Sequence, residues 1–115
     1  MIYIIDDDDI MAECIARSCQ GSYKIFHNAI EAMAAIDEYP PQLIFLDILL
    51  DGPDGFTFLN EMVSYPDTAT IPIIIVSSLK IPLHHVKDYG VVAVLDKSTM
   101  TPQEIKNYVN KYVNQ

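Results

Sequence analysis

Two kinds of apolar pattern alternate along the chain: short continuous runs, and longer segments in which apolar positions recur every three or four residues. Continuous runs are typical of strands buried on both faces of a sheet, whereas the spaced pattern is typical of amphipathic helices. We therefore predict strands at 2–5, 23–26, 43–46, 71–76 and 91–95. Helices are predicted at 10–18, 29–38, 55–63, 82–89 and 102–113. Strands and helices that alternate in this way predict an α/β fold with a parallel sheet covered on both faces.

Capping residues mark the starts of several predicted helices. Asn28 and Asp54 are suited to cap the second and third helices, because their side chains can accept hydrogen bonds from N–H groups of the first turn. Thr101 opens a capping box that is followed by proline at the first helical position. Composition predicts a turn over 51–55 and a loop over 66–70.

Length, charge and cysteine content fit a single cytoplasmic domain that covers 1–115. Half of the 115 residues are apolar, which is enough for a hydrophobic core. The net charge of −9 argues against direct nucleic-acid binding, since phosphate contacts need clustered Lys and Arg. No apolar run has membrane-spanning length, and no signal peptide is visible. Cys14 and Cys19 would lie on different faces of a helix, which suits reduced cysteines and not a disulfide.

Polar side chains follow four of the predicted strands. The acids at 6–9 follow the first strand, Asp47 the third, Ser77 the fourth and Lys97 the fifth. Open α/β sheets bind their ligands at the carboxyl ends of the strands. If the first and third strands are neighbours, their carboxylates meet in one crevice and repel each other strongly. A hard cation with oxygen ligands, Mg²⁺ in particular, would relieve this repulsion.

These groups suit phosphoryl transfer. A carboxylate beside bound Mg²⁺ can attack a phosphoryl group and form an aspartyl-phosphate. The transferred group carries charge on three equatorial oxygens, which have to be neutralised. Mg²⁺ would hold one oxygen, the Lys97 ammonium a second, and the Ser77 hydroxyl with nearby backbone N–H groups the third.

Five short motifs, in order and at these spacings, resemble those of a response-regulator receiver domain of two-component signalling. They are Ile4-Ile5-Asp6-Asp7-Asp8, Leu46-Asp47, Asp54-Gly55, Pro72-Ile73-Ile74-Ile75-Val76-Ser77-Ser78 and Leu95-Asp96-Lys97. The resemblance covers the whole chain. It implies a flavodoxin-like (βα)5 fold with strand order 2-1-3-4-5, in a stand-alone regulator similar to those of chemotaxis.

The resemblance also implies roles for individual residues. Asp47 would accept a phosphoryl group from a sensor histidine kinase or a histidine phosphotransfer protein. Mg²⁺ would be held by Asp6 (through water), Asp7, Asp47 and the backbone carbonyl of Leu49. Ser77 and Lys97 would each contact a phosphoryl oxygen, as argued above. Such a domain is not an enzyme with a separate substrate. Its phosphorylation would change the surface that it offers to a partner protein.

Several positions depart from the family's usual pattern. Val94 replaces an aromatic residue whose rotation often accompanies signalling, so output would depend on backbone or helix shifts. Ser98 replaces a proline after the lysine, and a cis bond before a non-proline residue costs about 2.5–4 kcal/mol, so we predict a trans bond there. Asp51 also replaces a proline, and the fourth helix is expected to be reduced or irregular. Leu49 and Leu79 could crowd an attacking water molecule, which would favour a long-lived phosphate.

Two other functions remain open on the sequence. The Asp6-x-Asp8 pattern is similar to the nucleophile motif of haloacid-dehalogenase-type phosphohydrolases, although the chain is short for that fold and no threonine follows the pair. The chain could also be a receiver-like interaction module that is never phosphorylated. A shift of the metal pair by one position, to Asp7 and Asp8, is an alternative within the receiver hypothesis. His84 and His85 would point about 100° apart on a helix, which disfavours a metal site between them.

Overall fold

Five parallel strands form the centre of the molecule, which a computed structural model describes over residues 1–50 and 54–113. The strands are β1 (Ile2–Ile5), β2 (Tyr23–Phe26), β3 (Leu43–Leu46), β4 (Ile73–Ser77) and β5 (Val91–Asp96), and they pair in the order β2-β1-β3-β4-β5. The helices are α1 (Asp9–Ser18), α2 (Ala29–Glu38), α3 (Gly55–Ser64), α4 (Pro66–Ala69) and α5 (Pro102–Tyr112). The predicted fold class and strand order are confirmed. The predicted turn over 51–55 lies largely outside the described residues.

Each face of the sheet has its own layer of helices and its own apolar core. In β1, Tyr3 and Ile5 pack in the core that includes residues of α2 and α3, whereas Ile2 and Ile4 pack in the core that includes residues of α1 and α5. All residues of β1, β3 and β4 are buried. A fully buried aliphatic side chain stabilises the fold by about 1.5–3 kcal/mol relative to an exposed one. Polar side chains that could bind a ligand are therefore expected at the ends of the strands and not in their interiors.

Side-chain caps begin the longer helices. Asn28 accepts a hydrogen bond from the N–H of Glu31, Asp54 accepts one from Thr57, and Thr101 forms a complete capping box, as predicted. Asp8 caps α1 by accepting hydrogen bonds from the N–H groups of the next helical turn. The third acid of the run 6–9 is thus used to cap the helix.

The loop predicted over 66–70 is wrong, because four of these residues form the short helix α4. Pro66 stands at its first position, where a missing N–H costs nothing. The Thr68 hydroxyl donates to the backbone carbonyl of Met62 at 2.5 Å, so the turn is fastened to the preceding helix. This side-chain contact has no signature in the local pattern.

The fourth predicted helix, over 82–89, is reduced to two 3-10 turns, Leu83–His85 and Lys87–Tyr89. A segment this short gains too few hydrogen bonds to offset the cost of nucleating an α-helix. Gly90 ends the second turn in the left-handed region, with φ 83°. The expectation of a reduced or irregular fourth helix is confirmed.

The two strands nearest the predicted lysine are longer at their carboxyl ends than the sequence indicated. β4 begins at Ile73 because Pro72 has no N–H to donate. At the other end Ser77 pairs with Asp96, so both strands extend one residue past their predicted ends. The extension brings Ser77 and Lys97 to the same edge of the sheet.

The remaining described features are small. Cys14 is exposed and Cys19 buried, both are free thiols, and burial raises the pKa of Cys19 to about 11. The peptide bond before Ser98 is trans, as predicted, like every bond described. Within 1–50 and 54–113, no helix combines the length and the apolar character that a membrane crossing requires.

Candidate functional site

The pairing of β1 with β3 places two carboxylates side by side. Ile5 is aligned with Leu46, and the next residues are Asp6 and Asp47. The Asp47 N–H donates to the carbonyl of Ile5 at 2.9 Å, so the ladder continues one residue beyond the strands. Asp6 and Asp47 are both buried, with 1% and 4% of their surface exposed. Ordinary strand pairing thus holds two acids at the bottom of one crevice.

A third acid completes a cluster at this edge. Asp6, Asp7 and Asp47 each offer a carboxylate oxygen, and these three oxygens lie within 4.8 Å of one another. Asp7 is exposed and forms the outer side of the cluster. The cluster uses the first two acids of the acidic run, whereas the alternative pair would have used Asp8, the cap of α1.

Lys97 reaches the two buried acids from the other side of the crevice. Its Nζ lies 3.1 Å from Asp47 Oδ2 and 3.2 Å from Asp6 Oδ2. Burial by itself would lower the pKa of Lys97, but the hydrogen bond to Asp47 and the negative charges of both acids outweigh it, so the pKa is raised. The lysine is therefore a cation throughout the physiological pH range.

The backbone around the lysine is held by a tight turn. The Lys97 N–H donates to the carbonyl of Ser77 at 3.1 Å, which attaches the lysine to the end of β4. Ser98 donates to Asp96 Oδ1 from its N–H and from its hydroxyl, and these bonds lower the pKa of Asp96. The Met100 N–H donates to the Asp96 carbonyl at 2.8 Å. The residue that replaces the family's proline thus helps to shape the loop.

Asp6 is buried and only partly compensated by its neighbours. Its Oδ1 accepts a hydrogen bond from the N–H of Asp8 at 2.9 Å. Its Oδ2 is buried and accepts no hydrogen bond of regular geometry, although the Lys97 ammonium is an ion-pair contact at 3.2 Å. Burial raises the pKa of Asp6, against the lowering effects of the Asp8 N–H and of Lys97, and the charge of Asp47 raises it further.

A divalent cation fits this arrangement. The donors are hard carboxylate oxygens, of the kind that Mg²⁺ prefers, and a buried oxygen of Asp6 lacks a regular hydrogen bond. One lysine cannot neutralise three carboxylates. Asp6, Asp7 and Asp47 are the residues that would hold the ion.

The two other predicted site residues lie at the same edge in different environments. Ser77 is fully buried, and its Oγ accepts a hydrogen bond from the N–H of Leu79 at 3.1 Å. The Leu49 N–H donates to Asp47 Oδ1 at 3.2 Å, and the Leu49 side chain is about half exposed. A metal contact through the Leu49 carbonyl and a phosphoryl contact through the Ser77 hydroxyl stay predictions.

Gly55 supports the site in a way that the sequence analysis missed. A Cβ atom on Gly55 would lie 2.6 Å from Ile48 Cα and 2.9 Å from the carbonyl oxygen of Asp47. The Gly55 N–H donates to the carbonyl of Ile48 at 2.9 Å. The start of α3 therefore lies directly against the backbone that follows Asp47. The Asp54-Gly55 pair was the available signal, since glycine next to a helix cap can mark close backbone approach.

Comparisons with known proteins show which family the chain belongs to. Residues 2–110 match the family model of the response regulator receiver domain, and the chain belongs to this family. Receiver domains are the regulated domains of two-component systems, and histidine kinases or phosphotransfer proteins phosphorylate them.

Two curated relatives match part of the chain. A protein-glutamate methylesterase/protein-glutamine glutaminase of Rhodospirillum rubrum is 30% identical over 82 residues, and the response regulator PleD of Caulobacter vibrioides is 29% identical over 83 residues. Each alignment covers 68% of this chain, but only 21% and 18% of the respective relative. The chain thus spans about a fifth of the length of these relatives.

Solved structures share the fold. The phosphorylated cyanobacterial phytochrome response regulator RcpA has a TM-score of 0.82 at 24% identity, covering 97% of this chain and 92% of its own. The Mn²⁺-bound form of response regulator Rcp1 has a TM-score of 0.83 at 20% identity, covering 99% of this chain and 94% of its own. At these identities the likeness concerns the fold alone.

Proposed function

We propose that this receiver domain accepts a phosphoryl group on Asp47 in an Mg²⁺-dependent reaction, and that phosphorylation changes the surface offered to a partner protein. One observation carries the proposal: the Lys97 ammonium lies within 3.2 Å of carboxylate oxygens of both Asp47 and Asp6, inside a cluster of three acids. The donor would be a sensor histidine kinase or a histidine phosphotransfer protein. The domain would work in the cytoplasm, which its two free thiols support.

The reaction needs few parts. An oxygen of the Asp47 carboxylate attacks the phosphorus atom of the donor, and the bond from phosphorus to the donor breaks. Bound Mg²⁺, held by Asp6, Asp7, Asp47 and the Leu49 carbonyl, would supply positive charge for a phosphoryl oxygen. Lys97 is already 3.1 Å from Asp47 and supplies the second positive charge. The Ser77 hydroxyl would donate to the third oxygen while its Oγ still accepts the hydrogen bond from the Leu79 N–H.

The effect of phosphorylation would spread through the lysine. A phosphoryl group on Asp47 competes with the Asp47–Lys97 ion pair, and the Lys97 backbone is bonded to Ser77 at the end of β4. Val94 has no ring that could rotate, so the ends of β4 and β5 are the elements expected to shift. Phosphorylation would thus shift the equilibrium between two conformations that offer different surfaces, because it adds one negatively charged group.

Intact mass tests the proposal directly. Incubation with acetyl phosphate and Mg²⁺ should add the mass of one phosphoryl group to the wild type and none to Asp47→Asn. Asp67→Asn is the matched control, because Asp67 is exposed on α4 and lies outside the acid cluster, and it should be labelled like the wild type. Labelling of Asp47→Asn would place the acceptor elsewhere. Absence of labelling in the wild type, together with absence of Mg²⁺ binding by calorimetry, would favour the unphosphorylated interaction module.

A further inference from the structure

Charge is distributed very unevenly along this chain. All seven Lys and Arg residues lie outside 25–79, whereas half of the sixteen Asp and Glu residues lie inside it. This stretch includes α2, α3 and α4, and α2 and α3 pack against the same core. One face of the sheet is therefore covered by helices that carry acids and no basic residue.

A groove of about 370 Å³ lies between α2 and the junction of α3 with α4. Its lining combines apolar and acidic side chains: Met33, Ile36, Asp37, Glu61, Tyr65 and Asp67. Ile36 is buried, Met33 half-buried, and the Tyr65 side chain is 58% exposed. Ligand sites span about 300–1,000 Å³, so a groove of this size accommodates a side chain or two of a partner.

The groove is separate from the acid cluster. The α3 helix begins at Gly55, beside Asp47, and ends at Ser64, next to the groove. At 1.5 Å per residue, the rise from Gly55 to the groove residues Glu61 and Tyr65 is about 9 to 15 Å. Binding in the groove therefore does not require the phosphoryl group, and it goes beyond the function proposed above.

We propose that this groove binds an arginine-bearing helix of a partner protein. In the part of the chain that the structure describes, Asp37, Glu61 and Asp67 take part in no ion pair. A guanidinium group forms paired hydrogen bonds with carboxylates and also stacks on aromatic rings, so arginine suits both these acids and the exposed Tyr65 ring.

The groove's apolar part favours a helix over a small cation. The half-buried Met33 can bury the aliphatic stem of an arginine or a leucine from the same helix, whereas Ile36 is already buried. Ile30, 65% exposed, lies one helical turn before Met33 on the same side of α2 and extends the apolar surface along that helix. A polyamine or a metal ion would leave these side chains uncovered, whereas an amphipathic helix covers them and places its basic face near the acids.

A synthetic helical peptide, with leucine on one face and arginine on the other, serves as the probe. A second peptide carries glutamate in place of arginine. Each is titrated into the unphosphorylated, isotope-labelled protein without Mg²⁺, and amide shifts are followed by NMR. The arginine peptide should shift residues of α2 and of 61–68, and its affinity should fall as salt rises, since these charges are screened beyond about 8 Å at physiological ionic strength. The glutamate peptide should not bind.

Two single substitutions with the same charge change separate the groove from the overall negative charge. Glu61→Lys, on α3, should weaken the arginine peptide by about fivefold to tenfold. Glu13→Lys, an exposed glutamate on α1, should leave the affinity within about twofold of the wild type. Glu61→Gln should give a smaller loss in the same direction, which keeps the test valid if Glu61→Lys folds poorly.

Three outcomes would overturn the proposal. Equal losses in Glu13→Lys and Glu61→Lys would mean that the peptide senses net charge alone. Shifts spread over the acid cluster would assign the peptide to that site. Spermine that reproduced the same shifts with equal affinity would show a site for small cations and not for a helix. None of these results bears on phosphorylation of Asp47, which is measured separately by mass.

Discussion

Replacement of Gly55 by alanine should damage the site without touching any predicted ligand. The added Cβ would lie 2.6 Å from Ile48 Cα and 2.9 Å from the Asp47 carbonyl oxygen, and both are backbone atoms. Ordinary contacts begin at 3.4 Å, so α3 and the backbone after Asp47 must separate by about 0.8 Å. No rotation of a side chain can relieve this contact.

The free energy of unfolding should fall by about 1–2 kcal/mol. Overpacking of this kind typically costs about 1–3 kcal/mol, and the higher helix propensity of alanine returns at most about 1 kcal/mol. For a domain of this length, the melting temperature should drop by about 4 °C for each kcal/mol. Phosphorylation should be slower by about tenfold or more, because a displacement approaching 1 Å at the reacting group can cost about a hundredfold in rate.

Urea unfolding and the rate of labelling by acetyl phosphate measure the two effects. Asn60→Ala is the control, because Asn60 is exposed on the same helix and alanine is favourable there. This control should differ from the wild type by less than about 0.5 kcal/mol and keep its labelling rate. A Gly55→Ala protein as stable and as readily labelled as Asn60→Ala would refute the close approach of α3 to Asp47.

Two further outcomes follow from buried groups. Burial raises the pKa of Asp6 above its ordinary 3.8, so the stability that its proton contributes is complete below about that pH and is lost as pH rises through the folded-state pKa. In urea unfolding without Mg²⁺, the free energy of unfolding of Asp6→Asn should not fall over this pH range, and at neutral pH it should exceed that of the wild type. Stability that depended on pH in the same way in both proteins would contradict this prediction. Cys14 should react quickly with a thiol reagent near pH 8, whereas Cys19, with a pKa of about 11, should not. Two labels by intact mass on the folded protein, in place of one, would contradict the burial of Cys19.

The sheet could be predicted because its signal is local. β1 and β3 are continuous apolar runs, and the capping residues Asn28, Asp54 and Thr101 act within one helical turn. The short helix α4 could not be predicted in the same way. It depends on a hydrogen bond from Thr68 to Met62, six residues away and on another helix.

The site could be predicted only in part. That acids would follow the first and third strands was visible, but their adjacency depended on a strand order that the resemblance supplied. Gly55 was missed because its importance comes from a contact with Ile48 in the loop after β3. The hydrogen bond that Ser77 accepts from Leu79 was missed too, since it depends on how the chain turns after β4.

Lys97 follows β5, at one edge of the sheet, while its two carboxylate partners follow β1 and β3, on the far side of β4. The ammonium therefore links the rim of the sheet to its middle by ion pairs and a hydrogen bond that pass over β4. A cation that neutralised the two acids would weaken this link and leave the end of β5 dependent on its pairing with β4. A cation bound at the centre of the domain would then make the end of β5, at the edge of the sheet, more mobile.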